Sequence, residues 1–216
     1  MATGPVDAER LWLETLQLVT GRASHELKGA LNGVSVNLEV VRGRSANPEL
    51  PASALARFAE SAATQLDHVI EMNEALLALA RRPREPADVA ATLRHVAALV
   101  VPGATASGMV ITVDASTDGI PVDAGAPALV VRTVFARILL AVVEAGGGDV
   151  RLRAVDGTLA IDAVATGNAI RFDERTAALA AAAGIHSYVD GQAFTLTFPG
   201  PATALEHRGA ATHGIA

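Results

Sequence analysis

The stretch Ala23-Ser24-His25-Glu26-Leu27-Lys28-Gly29-Ala30-Leu31-Asn32 sets an imidazole beside a carboxylate inside an apolar repeat, and its flanks decide the architecture. Leu13, Thr20, Leu27, Val34 and Val41 recur at intervals of seven, with Leu31 and Leu38 filling adjacent positions. That period is the seam of a helix packed in a bundle or coiled coil. No proline interrupts residues 7–42, so the spacing predicts one long helix there. Gly21, Gly29 and Gly33 weaken that helix intrinsically, which makes it depend on tertiary packing. Residues 43–51, Gly-Arg-Ser-Ala-Asn-Pro-Glu-Leu-Pro, have turn composition. A second helix is expected over 52–81, striped by Leu55, Phe58, Ala62, Leu66, Val69, Met72, Leu76 and Leu79. Such a hairpin cannot cover its own apolar stripe, and two copies forming a four-helix bundle are the simplest remedy. A homodimer is therefore expected. His25 stands two residues before Leu27, roughly 200° around the helix, so it points away from the seam.

Composition narrows the remaining classes. The chain has 216 residues, half of them hydrophobic but only 3% aromatic, so its core is built from Ala, Val and Leu. A net charge of −6 argues against an electrostatically driven nucleic-acid binder, which needs clustered Lys and Arg. With no cysteine there are no disulfides, thiolate metal sites or cysteine nucleophiles. The first seven residues lack the basic-then-apolar pattern of a signal peptide. No apolar run reaches bilayer length; the longest candidate, 129–143, is broken by Arg132 and Arg137. A cytoplasmic protein without membrane contact is the expectation.

Arg81-Arg82-Pro83-Arg84-Glu85-Pro86 combines like charges with two prolines and reads as a linker. It separates a hairpin domain, 7–82, from a mixed domain, 87–199, with 200–216 expected as a flexible tail. A helix over 88–100 is capped by Asp88, with Val89, Leu93, Val96 and Leu99 as its face. Residues 109–114 read as a strand, and 127–145 as a helix stopped by Gly146-Gly147-Gly148. Strands over 150–155 and 158–164 form a hairpin through Asp156-Gly157. An alanine-rich helix over 173–183 follows, then a second hairpin, 185–189 and 193–198, turning at Asp190-Gly191.

An H-box-like segment on a helical hairpin, followed by helix, strand, helix and antiparallel hairpins, resembles the core of bacterial histidine kinases. The resemblance covers roughly residues 7–198 and is most specific at His-Glu-Leu-Lys-x-x-Leu-Asn, residues 25–32. It implies a dimerising hairpin followed by a helix-on-sheet sandwich of the kinase ATPase (GHKL) type. The ATP-binding residues of that family are missing. Ala141 stands where the family has a magnesium-binding asparagine, and alanine offers no oxygen to a cation. Ala165-Thr166-Gly167-Asn168-Ala169 keeps one glycine of the adenine-recognising motif and lacks its aspartate; Asp162 falls in the preceding strand. Scarcely a turn separates Ile170 from the last helix, leaving no room for the ATP lid. The triple glycine is a helix stop before a strand, not a phosphate-cradling loop before a helix.

A phosphorylatable histidine without an ATP site is similar to the ChpT-like group of histidine phosphotransferases. That resemblance implies that His25 is the phosphoacceptor and Glu26 accepts a proton from its ring. Lys28 is placed to offset charge on a bound phosphoryl group, and Asn32 lies near the same side two turns on. The partners implied are response-regulator receiver domains and a hybrid histidine kinase. Magnesium belongs to the receiver's own aspartate, so this chain is expected to need no cofactor. Gly29 replaces the Thr or Asn usual in the family, which argues against phosphatase activity, and Ala30 replaces its proline. A solvent-facing His–Glu pair means nothing on most helices; here the motif and the hairpin around it favour function. Two rivals stand beside this reading. A pseudokinase scaffold would hold a receiver or sensor without covalent chemistry, and a diverged kinase would still bind nucleotide. His68 sits between core positions of the second helix and is expected to serve surface or hairpin packing, while His95 and His186 lack acidic or histidine neighbours at metal-ligand spacing and are expected to be structural.

Overall fold

The computed structural model describes residues 7–47, 49, 51–83, 88–106, 110–113, 126–145, 149–155, 158–163, 173–190 and 193–197. The triple glycine, residues 84–87, the segment 165–169, the Asp156-Gly157 turn, Gly191 and the tail from 200 onward lie outside the described residues. The chain runs α1 (Ala8–Ser45), α2 (Ser53–Ala80), α3 (Val89–Ala106), β1 (Val110–Val113) and α4 (Ala128–Ala145). It continues through β2 (Asp149–Val155), β3 (Thr158–Ala163), α5 (Glu174–Ala182), β4 (His186–Asp190) and β5 (Ala193–Thr197). Helix dominates.

Helix α1 starts where the Asp7 carboxylate accepts the Arg10 backbone N–H at 3.2 Å, and Glu9 sits at its positive end. Arg42 and Arg44 occupy its last turn, where cations suit the exposed carbonyls. It packs along α2 as an antiparallel hairpin. The Asn37 side-chain amide bridges the two helices, donating to Ser61 Oγ at 3.1 Å and Gln65 Oε1 at 3.4 Å. A Cβ on Gly33 would lie 2.5 Å from Oε1 at the far end of the Gln65 side chain, which would have to turn aside to admit it.

The strands form one five-stranded sheet ordered β1-β2-β3-β5-β4. β1 and β2 are parallel, as joining them through α4 permits. The other three pairings are antiparallel, with Leu152 opposite Ile161 and Ile161 opposite Phe194. Gly184, at φ 72°, ends α5 in a conformation that costs glycine nothing.

Helix α3 differs from its expected length. It runs through Pro102 to Ala106 instead of stopping near Val100. Proline removes one donor and crowds the preceding turn. The buried residues Val96, Leu99 and Val100 hold the helix on the core just before that defect.

Helix α4 is the centre of the molecule. Val131, Val134, Phe135 and Ala136 are fully buried, with Ile138, Leu139 and Val142 almost so. A helix apolar on most of its surface must be largely enclosed, and all but the last turns of this one are. One buried cluster joins α4 to Leu11, Trp12, Val19 and Ala23 of α1, Met72 and Leu79 of α2, and Leu93 and Val96 of α3. Leu179 of α5, Ile185 and Leu196 of β5 belong to the same cluster. Among the described residues, no helix is long and apolar enough to cross a membrane.

Candidate functional site

The lower half of α1 fixes where His25 points. Leu11, Thr15, Val19 and Ala23 recur every four residues and are fully buried beneath α3 and α4. Two residues past Ala23 the helix has turned roughly 200°, so His25 emerges on the outside. His25, Lys28 and Asn32 are exposed, while Glu26 is half-buried. Three of the four residues thus share open solvent, and Glu26 alone turns inward.

His25 does not stand on a bare helix. Gly21, Arg22, His25 and Glu26 form one wall of a groove whose other wall is Leu99 and Val100 of α3 and Val143 of α4. Arg22 crosses it, its Nη2 lying 3.4 Å from Glu144 Oε1 near the end of α4. Among the described residues, none hydrogen-bonds the His25 ring, so a docking partner is free to set its tautomer. The chemistry available is that of an accessible imidazole followed by a carboxyl side chain: a ring nitrogen able to act as nucleophile, with a candidate proton acceptor one residue away.

The expected seam on α1 is only partly covered by the chain itself. Leu27, Val34 and Val41 are half-buried against α2, whereas Leu13, Leu31 and Leu38 are 59%, 51% and 53% exposed. On α2, Leu66, Ile70 and Leu77 are likewise about half exposed, at 46%, 47% and 50%. Helical phase puts each set on a stripe roughly 110° from the side facing its neighbour. Antiparallel packing brings both stripes to one face of the hairpin, opposite His25.

Other expected residues resolve simply. Ala141 is half-buried on α4, Asp162 lies within β3, His68 is half-buried on α2, and His186 is exposed on β4. Among the described residues, no three His, Asp or Glu side chains are grouped to hold a metal ion.

A polar cluster joining the N-terminal hairpin to the rest escaped sequence reasoning. Glu14 Oε2 accepts from Arg175 Nη1 of α5 at 2.7 Å and lies 3.8 Å from Arg137 Nη2 of α4. Arg137 donates through Nε to Thr15 Oγ1 at 2.8 Å and pairs with Asp173, the N-cap of α5, at 3.6 Å. The Arg175 hydrogen bond, its charge and Arg10 hold the Glu14 carboxyl below its usual range. Burial pushes Asp173 up, but the Thr176 hydroxyl and N–H and the Arg137 charge outweigh it, and the net direction is down. The signal was present in sequence: Arg132 and Arg137 are the only charges before Glu144 in an otherwise apolar helix. A buried helix keeps such charges only where partners await them. Compared with models of known protein families and with curated proteins, the chain matches none.

Proposed function

We propose that this chain is a histidine phosphotransferase of a two-component phosphorelay, acting through His25 without using ATP. The observation that carries the reading is an exposed His25, followed by Glu26, on a long hairpin helix and opening into a groove beside α3 and α4. The unprotonated ring nitrogen attacks the phosphorus of an aspartyl phosphate on a receiver domain. An N–P bond forms, the P–O bond breaks, and the receiver's carboxylate leaves. The other ring nitrogen then gives up its proton, with Glu26 as the adjacent acceptor. Reversal onto a second receiver's aspartate completes the shuttle. Lys28 and Asn32 lie on the exposed side where the incoming phosphoryl group and its receiver would sit.

The same reading takes the α3–β5 portion as a degenerate ATPase-like domain of the kinase type. Its support is the element order and Ala141, which offers α4 no cation ligand. The apolar stripes Leu31–Leu38 and Leu66–Ile70–Leu77 would close against a second copy as a four-helix bundle. The phosphoryl group then has to arrive from another protein, a receiver or hybrid kinase, which carries its own magnesium.

The test is labelling by a phosphorylated receiver domain. Wild-type protein is expected to take up acid-labile label within minutes, and His25→Ala to take up none while keeping its helical content. Label that persists in His25→Ala would sink the proposal. Receiver binding without any label in wild type would favour a pseudokinase scaffold instead.

A further inference from the structure

We propose that the groove between the end of α2 and the starts of α3 and α4 binds a compact oxyanion of the phosphate class. Arg81, Arg82, His95 and Arg132 line it, with Asp88 and Thr92 at the first turn of α3. In a chain of net charge −6, this is a concentration of positive charge. Among the described residues lining it the one acid is Asp88, whose carboxylate accepts the Ala91 N–H at 2.8 Å as the helix cap.

Arg132 is the centre of the site. Its Nη1 donates to the Leu79 and Arg81 carbonyls, at 2.9 and 2.8 Å, closing the end of α2. Its guanidinium carbon lies 5.5 Å from the Trp12 ring centroid. Among the described residues its buried Nε has no hydrogen-bond partner and no carboxylate pairs with its charge. Guanidinium donors left without an acceptor in a half-buried site are costly. The Arg81 and Arg82 side chains are exposed at the rim of the groove and have no hydrogen-bond or ion-pair partner among the described residues. Burial first, and then the Arg94 and Arg132 charges, hold the His95 ring below its usual range against the opposing Asp88 charge. An oxyanion would accept from the arginines and favour the charged imidazolium.

Charge and hydrogen bonding are shared by free phosphate and by the phosphate group of a small metabolite, so the test separates them. Trp12, the only tryptophan, touches Arg132 and serves as the reporter. Inorganic phosphate and AMP are titrated separately at constant ionic strength set with chloride, following Trp12 emission and the His95 ring by NMR. A saturable change with a raised His95 pKa is the expected result. Tighter binding of AMP would assign the site to a metabolite phosphate, and equal or weaker binding to the free ion. Arg132 also supports the fold, so the variant is Arg81→Gln/Arg82→Gln, at two exposed side chains with no hydrogen bond or ion pair among the described residues. Losing two charge-assisted hydrogen bonds should weaken binding at least about tenfold. A response that does not saturate, or that is unchanged in the double variant, overturns the proposal. Receiver labelling of His25 is independent of either outcome.

Discussion

Glu14 ties three helices together, because its carboxylate meets Arg10 on its own helix, Arg175 on α5 and Arg137 on α4. Its ionised form and that of Asp173 are both favoured by folding, so each carboxyl titrates lower in the folded chain than in the unfolded one. The stability they contribute is present above their ordinary values of 4.5 and 3.8 and is lost as pH falls through the folded ones. The urea midpoint of wild type is therefore expected to fall on acidification below about pH 5. Glu14→Gln should be less stable at pH 7 and should show a shallower fall. A variant whose midpoint follows the wild-type pH curve would show that Glu14 is a bystander. His25 is the opposite kind of residue: exposed and unpaired within the described residues. Its exposure was legible in sequence, because helical phase alone sends it outward. The Glu14 cluster was not legible, because three of its members are far apart along the chain and meet only through tertiary docking.

At the scale of the element, α1 is a helix of 38 residues containing four glycines, at 21, 29, 33 and 43. Their roles differ. A Cβ on Gly33 would press on Gln65, but a Cβ on Gly29 would meet nothing within 4 Å. Gly29→Ala is expected to raise stability by about 0.5–1 kcal/mol through helix propensity alone, measured by chemical denaturation. A loss of stability would mean that the local backbone is not helical as described. Helix α2 has no basic residue in its last turn. Arg132 of α4 supplies the missing cation there, which explains why a charge interrupts the apolar run of α4. The elements themselves were readable from period and punctuation, to within a few residues at each end. Pro102 is the exception, since packing of the preceding turns carries α3 past a residue that locally favours stopping.

At the scale of the molecule, one buried cluster runs from Leu11 of α1 to Leu196 of β5, so the base of the hairpin and the mixed α/β portion share a core. The upper hairpin stands apart from that core and leaves its leucine stripes half exposed. Leu38→Asp with Ile70→Asp is expected to convert a dimer to a monomer in sedimentation without unfolding the chain. Both positions are already about half in water, at 53% and 47%. A wild-type monomer at micromolar concentration would refute the bundle. The sequence by itself determined the two long helices, the strand order in the chain and the outward pointing of His25, because these follow from local period and helical phase. Tertiary structure alone decided that α3 and α4 form a wall beside His25, and that Arg132 and Arg137 reach back to the first helices. Those contacts join residues more than fifty positions apart, and no local pattern encodes which distant charge a buried arginine will meet.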